Sequence, residues 1–314
     1  METTPLMELA IAPARVLSGF RILDVLGDLV PGNPLVVGGP TTLPRFQEEI
    51  RRILPRAVFA TYGADSCQET LDRLTSSPCD AVVGLGGGKA LDTAKMVAHR
   101  LSVPCITVPT SPATCAAWSA LSNLYSEEGT WLETIVHPAP QALVLDYALA
   151  GRVPPRLLAS GMADALAKWY EGRSTKNPDA MTRAALGIAQ QLKETILEVG
   201  IRACKQVSPE QDPEGIVLEA IDASIRLPGL VGGIGGEKCR SVAAHALANA
   251  LTAFDGHKAS LHGEKVGFGI LVQLLLEGAP ASEVWEVAEF FHRIGVPLTL
   301  AELGVRASAE EIAQ

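Results

Sequence analysis

A chain of 314 residues with 47% apolar content can bury a large core, divides readily into two domains and is too apolar to be disordered. Its formal charge of −9 and pI near 5.2 leave no broad basic surface for a nucleic-acid backbone, so the expected partner is a small molecule. No basic N-terminal cluster and no apolar run of bilayer length are present, which predicts a soluble, cytoplasmic protein without signal peptide or membrane span.

In chain order, the apolar run Pro34 to Gly38 leads into a helical pattern from Pro44 to Leu54, and Ala57 to Thr61 precedes a second helix from Asp65 to Thr75. Ala81 to Leu85 is followed by Gly86, Gly87 and Gly88, and Lys89 opens the next helix. Without side chains at these glycines, backbone amides can approach a ligand closely, and the helix aims its unpaired N–H groups and positive dipole end at an anion such as phosphate. Pro104 to Val108 and Ala142 to Asp146 complete the series. Short apolar runs alternating with helices predict an α/β domain with a parallel sheet over residues 1–150. Ligands bind such sheets at the strand C-terminal ends, where the glycine turn lies.

From about Pro154 the texture changes to helix-period segments without a convincing strand: 157–172, 180–199, 215–227, 241–253 and 263–276. Breaks are expected at Asn177-Pro178, Pro228-Gly229 and 232–236, giving an all-α domain over 151–314. No closing element is evident after Gly295-Val-Pro297. The six cysteines are scattered without Cys-x-x-Cys spacing, so most are expected to be reduced packing residues.

Asp164 sits among small and apolar residues in the 157–172 helix and needs a partner if buried; Lys168, one turn later, is one choice and a metal another. His245 lies on an apolar helix, where a hydrogen-bonded core histidine is the ordinary alternative, and His262 opens the next helix, where an exposed imidazole is ordinary too. Together, one carboxylate and two imidazoles on three helices form a three-ligand set with an open position for a substrate oxygen, suited to zinc or ferrous iron. His99, His137, His257 and His292 are expected on the surface or in loops, with His257 a rival to His262.

These residues, with Pro109-Thr-Ser-Pro-Ala-Thr-Cys115, Ser119 to Tyr125 and His262-Gly-Glu-Lys-Val-Gly-Phe-Gly269, make the chain resemble the iron-type, metal-dependent alcohol dehydrogenases, in their glycerol-dehydrogenase-like branch. The resemblance covers about residues 10 to 305. It implies a dehydroquinate-synthase-like architecture: an NAD(P)-binding α/β domain, a helical metal-binding domain and a site in the cleft between them. It further implies that Gly86, Gly87, Gly88 and Lys89 hold the cofactor pyrophosphate, and that Asp92 supports the loop and the ribose side. Thr110, Ser119, Leu121 and Tyr125 would line the nucleotide pocket, Asp164, His245 and His262 would ligate the metal, and the protein would be a homo-oligomer.

The chain departs from that pattern in three places. Cys115 stands where glycerol dehydrogenases carry an acidic residue beside the substrate. Loss of that charge, with Ala113-Thr-Cys-Ala-Ala-Trp118 and Ala167-Lys-Trp-Tyr170, looks like the hydroxycarboxylate dehydrogenases, which reduce 2-oxo acids. Val37 is followed by Gly38-Gly39 instead of an aspartate, so NADP(H) is expected to be accepted beside NAD(H). Similar proteins also continue beyond the position of Gln314, which suggests a C-terminally truncated chain. The expected activity is metal-dependent, NAD(P)-linked reduction of a small 2-oxo acid or related carbonyl. The alternatives are glycerol or 1,2-diol oxidation, nucleotide binding without turnover in a truncated chain, and a dehydroquinate-synthase-type lyase, which would need a basic cluster around the metal motifs that the sequence lacks.

Overall fold

The computed structural model of the protein describes residues 10–63, 65–239 and 242–312. Six parallel strands form one sheet in the order β1 (Arg15–Gly19), β8 (Ala142–Asp146), β5 (Cys105–Pro109), β4 (Ala81–Gly86), β2 (Pro34–Gly38) and β3 (Val58–Thr61). Every residue of the four inner strands is buried, because helices cover both faces. Alternation decides which face each side chain serves. Val36, Val83 and Leu85 pack with Leu26 of α1 (Leu26–Leu29) and with Leu43 and Ile50 of α2 (Thr42–Ile53). Leu35, Val37 and Val82 pack with Leu71 of α3 (Gln68–Thr75) and Val97 of α4 (Gly88–Leu101). Strand β4 lies between β2 and β5, so its glycine turn opens at the middle of the sheet's C-terminal edge.

Strand β1 escapes sequence patterning because it is a five-residue edge strand with only partial burial. The antiparallel hairpin β6 (Leu121–Tyr125) and β7 (Trp131–Val136) is not among the expected elements, although its first strand lies within the Ser119 to Tyr125 motif. Two buried charges on α4 hold it. Lys95 Nζ lies 3.0 Å from Asp92 Oδ1 and donates to the carbonyls of Ser119 (3.2 Å) and Leu121, while Asp92 Oδ2 accepts the Asn123 N–H at 3.1 Å. His137, expected on the surface or in a loop, lies in the loop just beyond the hairpin but is buried there. Its Nδ1 lies 2.9 Å from the Pro138 carbonyl, which can only accept, so Nε2 accepts from Ser122 Oγ at 2.8 Å. Burial and the nearby Lys95 push its pKa down to about 4.

After β8, every described element is helical: α5 (Tyr147–Gly151), α6 (Pro155–Gly172), α7 (Ala180–Gln206), α8 (Ile216–Gly235), α9 (Ala243–Ala250), α10 (His262–Leu276), α11 (Ala281–Ile294) and α12 (Ala309–Ile312). The break expected at Pro228-Gly229 does not occur, because α8 runs through it, whereas the break expected at 232–236 falls where the helix ends, at Gly235 with Gly236 as C-cap. Packing overrides the local preference, since α8 is largely buried and Trp118 occupies the space beside Gly229. Helix α11, absent from the expected series, places Val287, Phe290 and Phe291 in the core shared with α6 and α7. No helix among the described residues is long and apolar enough to cross a membrane.

The Lys95 side chain is 1% exposed, so Lys95→Met would leave Asp92 buried without its ammonium partner. We expect a loss of about 3 kcal/mol in denaturant unfolding. A loss below about 1 kcal/mol would show that the pair does not anchor the hairpin.

Candidate active site

Helix α6 supplies two buried acids seven residues apart, Asp164 and Glu171, on one face of the helix. Asp164 Oδ1 lies 3.4 Å from His245 Nε2 on α9 and 3.5 Å from His262 Nε2 at the start of α10. One ligand atom from each of the three residues falls within 4.8 Å of the others, which is the span of a shared divalent ion. Burial disfavours charge on Asp164, but hydrogen bonds from the two imidazoles outweigh it and hold the carboxyl well below its usual range. Lys168 does not pair with Asp164, and no hydrogen bond or ion pair engages its side chain among the described residues.

Glu171 fixes His245. One carboxylate oxygen accepts the backbone N–H groups of Val242 (2.8 Å) and His245 (2.9 Å), and the other lies 2.6 Å from His245 Nδ1. The ring therefore turns Nε2 toward Asp164. Burial pulls Glu171 upward and His245 downward, yet their mutual attraction prevails, with Glu171 held at about 2 and His245 pushed up to about 9. His262 is set by the helix start: Glu264 accepts from the Leu261 N–H at 2.7 Å and from Arg156 on α6 at 2.6 and 2.8 Å. Gly263 lets α10 come this close, because a Cβ there would overlap the Ser160 carbonyl of α6.

The triad opens into a cavity of about 680 Å³ that reaches back to the glycine turn. Gly86 takes φ +152°, a conformation that L side chains rarely adopt, and turns β4 into α4 with Gly87 as the N-cap. The unpaired amides of the α4 N-terminus thus face the cavity. Gly87, Gly88, Lys89, Asp92, Cys115, Ser119, Leu121 and Tyr125 line it together with Asp164, His245 and His262. Gly86 and Thr110 do not. The Thr110 N–H donates to the Gly86 carbonyl at 3.0 Å, bracing the turn from behind, and Ser111 takes the place in the wall. Lys89 pairs with Asp65 and lies 5.5 Å from the Tyr125 ring centroid, so it closes the wall beside the amides. Asp92 acts chiefly through Lys95 and the hairpin.

Cys115 is half-buried in a turn capped by Thr114, whose Oγ1 accepts the Ala116 N–H at 2.9 Å. Burial pushes its thiol pKa up, against the pull of the nearby Lys168, so the group is neutral at physiological pH. His257 stands in the cavity wall near His262 but is not in the triad. Sequence reasoning missed Asp65 and Glu171. The spacing from Asp164 to Glu171, two helical turns on one face, was the available signal for Glu171.

A helical layer that carries one carboxylate and two imidazoles, set against a glycine turn on a parallel sheet, defines a metal-and-nucleotide oxidoreductase architecture. The family model for iron-containing alcohol dehydrogenase matches residues 13–147. The chain is 35% identical to a glycerol dehydrogenase of Escherichia coli, with 94% of this chain and 84% of that one covered. It is 34% identical to hydroxycarboxylate dehydrogenase A of Escherichia coli K12, with 80% and 71% covered. A probable glycerol dehydrogenase from Sinorhizobium meliloti superposes with a TM-score of 0.86 at 27% identity, covering 96% of this chain and 87% of that one. The chain belongs to the iron-containing alcohol dehydrogenase family, and it is an enzyme acting on a CH–OH group.

Without metal, the raised pKa of His245 keeps its ring protonated up to about pH 9. A metal needs the neutral ring, so uptake must displace that proton and affinity must fall as pH falls. Zinc affinity measured by calorimetry should drop about tenfold per unit below pH 9. An affinity that does not change with pH would contradict this. Glu171→Gln should weaken zinc binding about 10- to 100-fold by loosening the ring, and unchanged affinity would show that Glu171 does not orient it.

Proposed function

We propose that the protein reduces a small 2-oxo acid, or a closely related carbonyl, to the hydroxy compound, with an NAD(P)H cofactor and one divalent metal, zinc or iron. The single observation that carries the choice of substrate is Cys115, a neutral thiol in the cavity wall at the position where the polyol-oxidising branch has a carboxylate. The donor set fits the metal in ligand chemistry and in spacing, and the turn at Gly87 to Lys89 fits a pyrophosphate through its free backbone amides. When bound, the metal would supply Lewis-acid polarisation of the carbonyl and the nicotinamide would supply hydride.

The chain's own residues supply position and electrostatics. Asp164, His245 and His262 would hold the metal, with Glu171 keeping the His245 ring aimed. Gly87, Gly88 and Lys89 would hold the cofactor phosphates, and Ser119, Leu121 and Tyr125 would line the wall leading from there toward the triad. Trp118, Pro228 and Gly229 add an apolar flank to the same cavity. Strand β2 ends at Gly38 and is followed by Gly39, Pro40 and Thr41, so the residues directly after the strand include no acid to repel a 2′-phosphate. NADPH is therefore accepted alongside NADH.

A second reading, oxidation of glycerol or another 1,2-diol, is favoured by the similarity to glycerol dehydrogenases across most of the chain. Steady-state assays of the zinc- and iron-loaded enzyme with NADH and NADPH against 2-oxo acids, dihydroxyacetone and glycerol separate the two. Turnover of 2-oxo acids with a higher kcat/KM than dihydroxyacetone is expected, and the reverse order would favour the diol. Cys115→Asp should lower kcat/KM for the acid at least about tenfold relative to glycerol, since it places a second negative charge beside an anionic substrate. An unchanged ratio would remove the electrostatic argument.

A further inference from the structure

Four lysines stand in the cavity wall, and three of them are placed differently from Lys168. Lys89 is paired with Asp65, Lys265 donates to the Ser260 carbonyl at 2.8 Å, and Lys258 is exposed at the cavity mouth. Lys168 is half-buried, and among the described residues its side chain makes neither hydrogen bond nor ion pair. It stands one helical turn after Asp164 on α6, about 6 Å along the axis. Its side chain lines the same cavity as the triad and Cys115, and its charge acts on Cys115, Glu171 and His245. A partly desolvated ammonium without a partner is costly unless an anion comes to it.

We infer that Lys168 is the specificity-determining residue that receives the substrate carboxylate; this rests on the 2-oxo acid reading and assigns its anionic half to a side chain. The dimensions agree, because in a 2-oxo acid the carboxylate is bonded directly to the carbonyl carbon. A carbonyl oxygen at the triad therefore leaves the carboxylate within one helical turn, where the Lys168 side chain reaches. The charges agree as well. Asp164 and Glu171 balance a divalent ion, so neither is left to neutralise Lys168, and a monoanionic substrate can do so. An acid at position 115 would neutralise Lys168 and suit an uncharged polyol instead, so Cys115 and Lys168 serve one electrostatic purpose.

The test compares wild type, Lys168→Met and Lys168→Arg on metal-loaded enzyme, with 2-oxobutanoate and dihydroxyacetone as substrates. It also measures calorimetric binding of oxamate, a 2-oxo acid isostere that resists reduction. Lys168→Met should raise KM for 2-oxobutanoate about 10- to 100-fold, with a smaller change in kcat, and weaken oxamate by a similar factor. Lys168→Arg should recover most of both, which separates charge from folding. KM for 2-oxobutanoate in the wild type should also rise with ionic strength more steeply than KM for dihydroxyacetone, a measurement that needs no variant. If the wild type reduces 2-oxo acids and Lys168→Met leaves KM and oxamate affinity unchanged, the inference is overturned and the substrate reading stands. If the wild type rejects 2-oxo acids yet binds oxamate through Lys168, the substrate reading fails and the anion site stands. Absence of both activity and oxamate binding overturns both.

Discussion

The burial of two acids on α6 is the constraint around which the helical half of the molecule is arranged. A carboxylate at 5% exposure and another at 1% would each be strongly destabilising if left alone, so other elements must deliver positive or donating groups to them. Helix α9 answers with the His245 ring and with two backbone N–H groups, and α10 answers with His262. The packing that permits this is tight, with Gly263 lying against the Ser160 backbone. Chemistry and packing are thus satisfied by the same contacts, and a shift of any one of these helices would expose an unpaired charge.

The sheet half obeys a different logic. Its inner strands are largely apolar runs, and the glycine turns that follow β2 and β4 line the cavity. A second buried charge pair, Asp92 with Lys95, carries the influence of α4 to the hairpin and so to Ser119 and Leu121. Both halves therefore use a buried ion pair to hold a loop-like element in place, and the cavity lies between the two devices.

The inner strands, the glycine turn and most of the helices were legible in the sequence because burial on both faces, or on one helical stripe, writes a long periodic signal. Asp164 and His245 stood out as polar residues in apolar settings and His262 as a ligand type at a helix start, and the structure brings the three together. What was not legible depends on contacts between distant segments. Strand β1 is too short and too polar at one end to show a pattern. Helix α8 passes through Pro228 only because its surroundings hold it, and no local rule anticipates that. His137 lies in a loop as expected, but its burial depends on the Ser122 hydroxyl and the Pro138 carbonyl, which no local pattern reveals. Asp65 and Glu171 were overlooked because an acid near a turn or near a helix end is unremarkable until its partner is known.

Glu171 engages α9 through both the backbone and the imidazole of a single residue. The position of the helix and the orientation of the ring are consequently one variable. A lineage could exchange Asp164 or His262 for another donor and keep the bundle, but shortening Glu171 by a single methylene would drag the helix and the ring together. Transplanting this constellation into an unrelated bundle would require four residues to travel as a unit, one of which would not itself touch a bound ion.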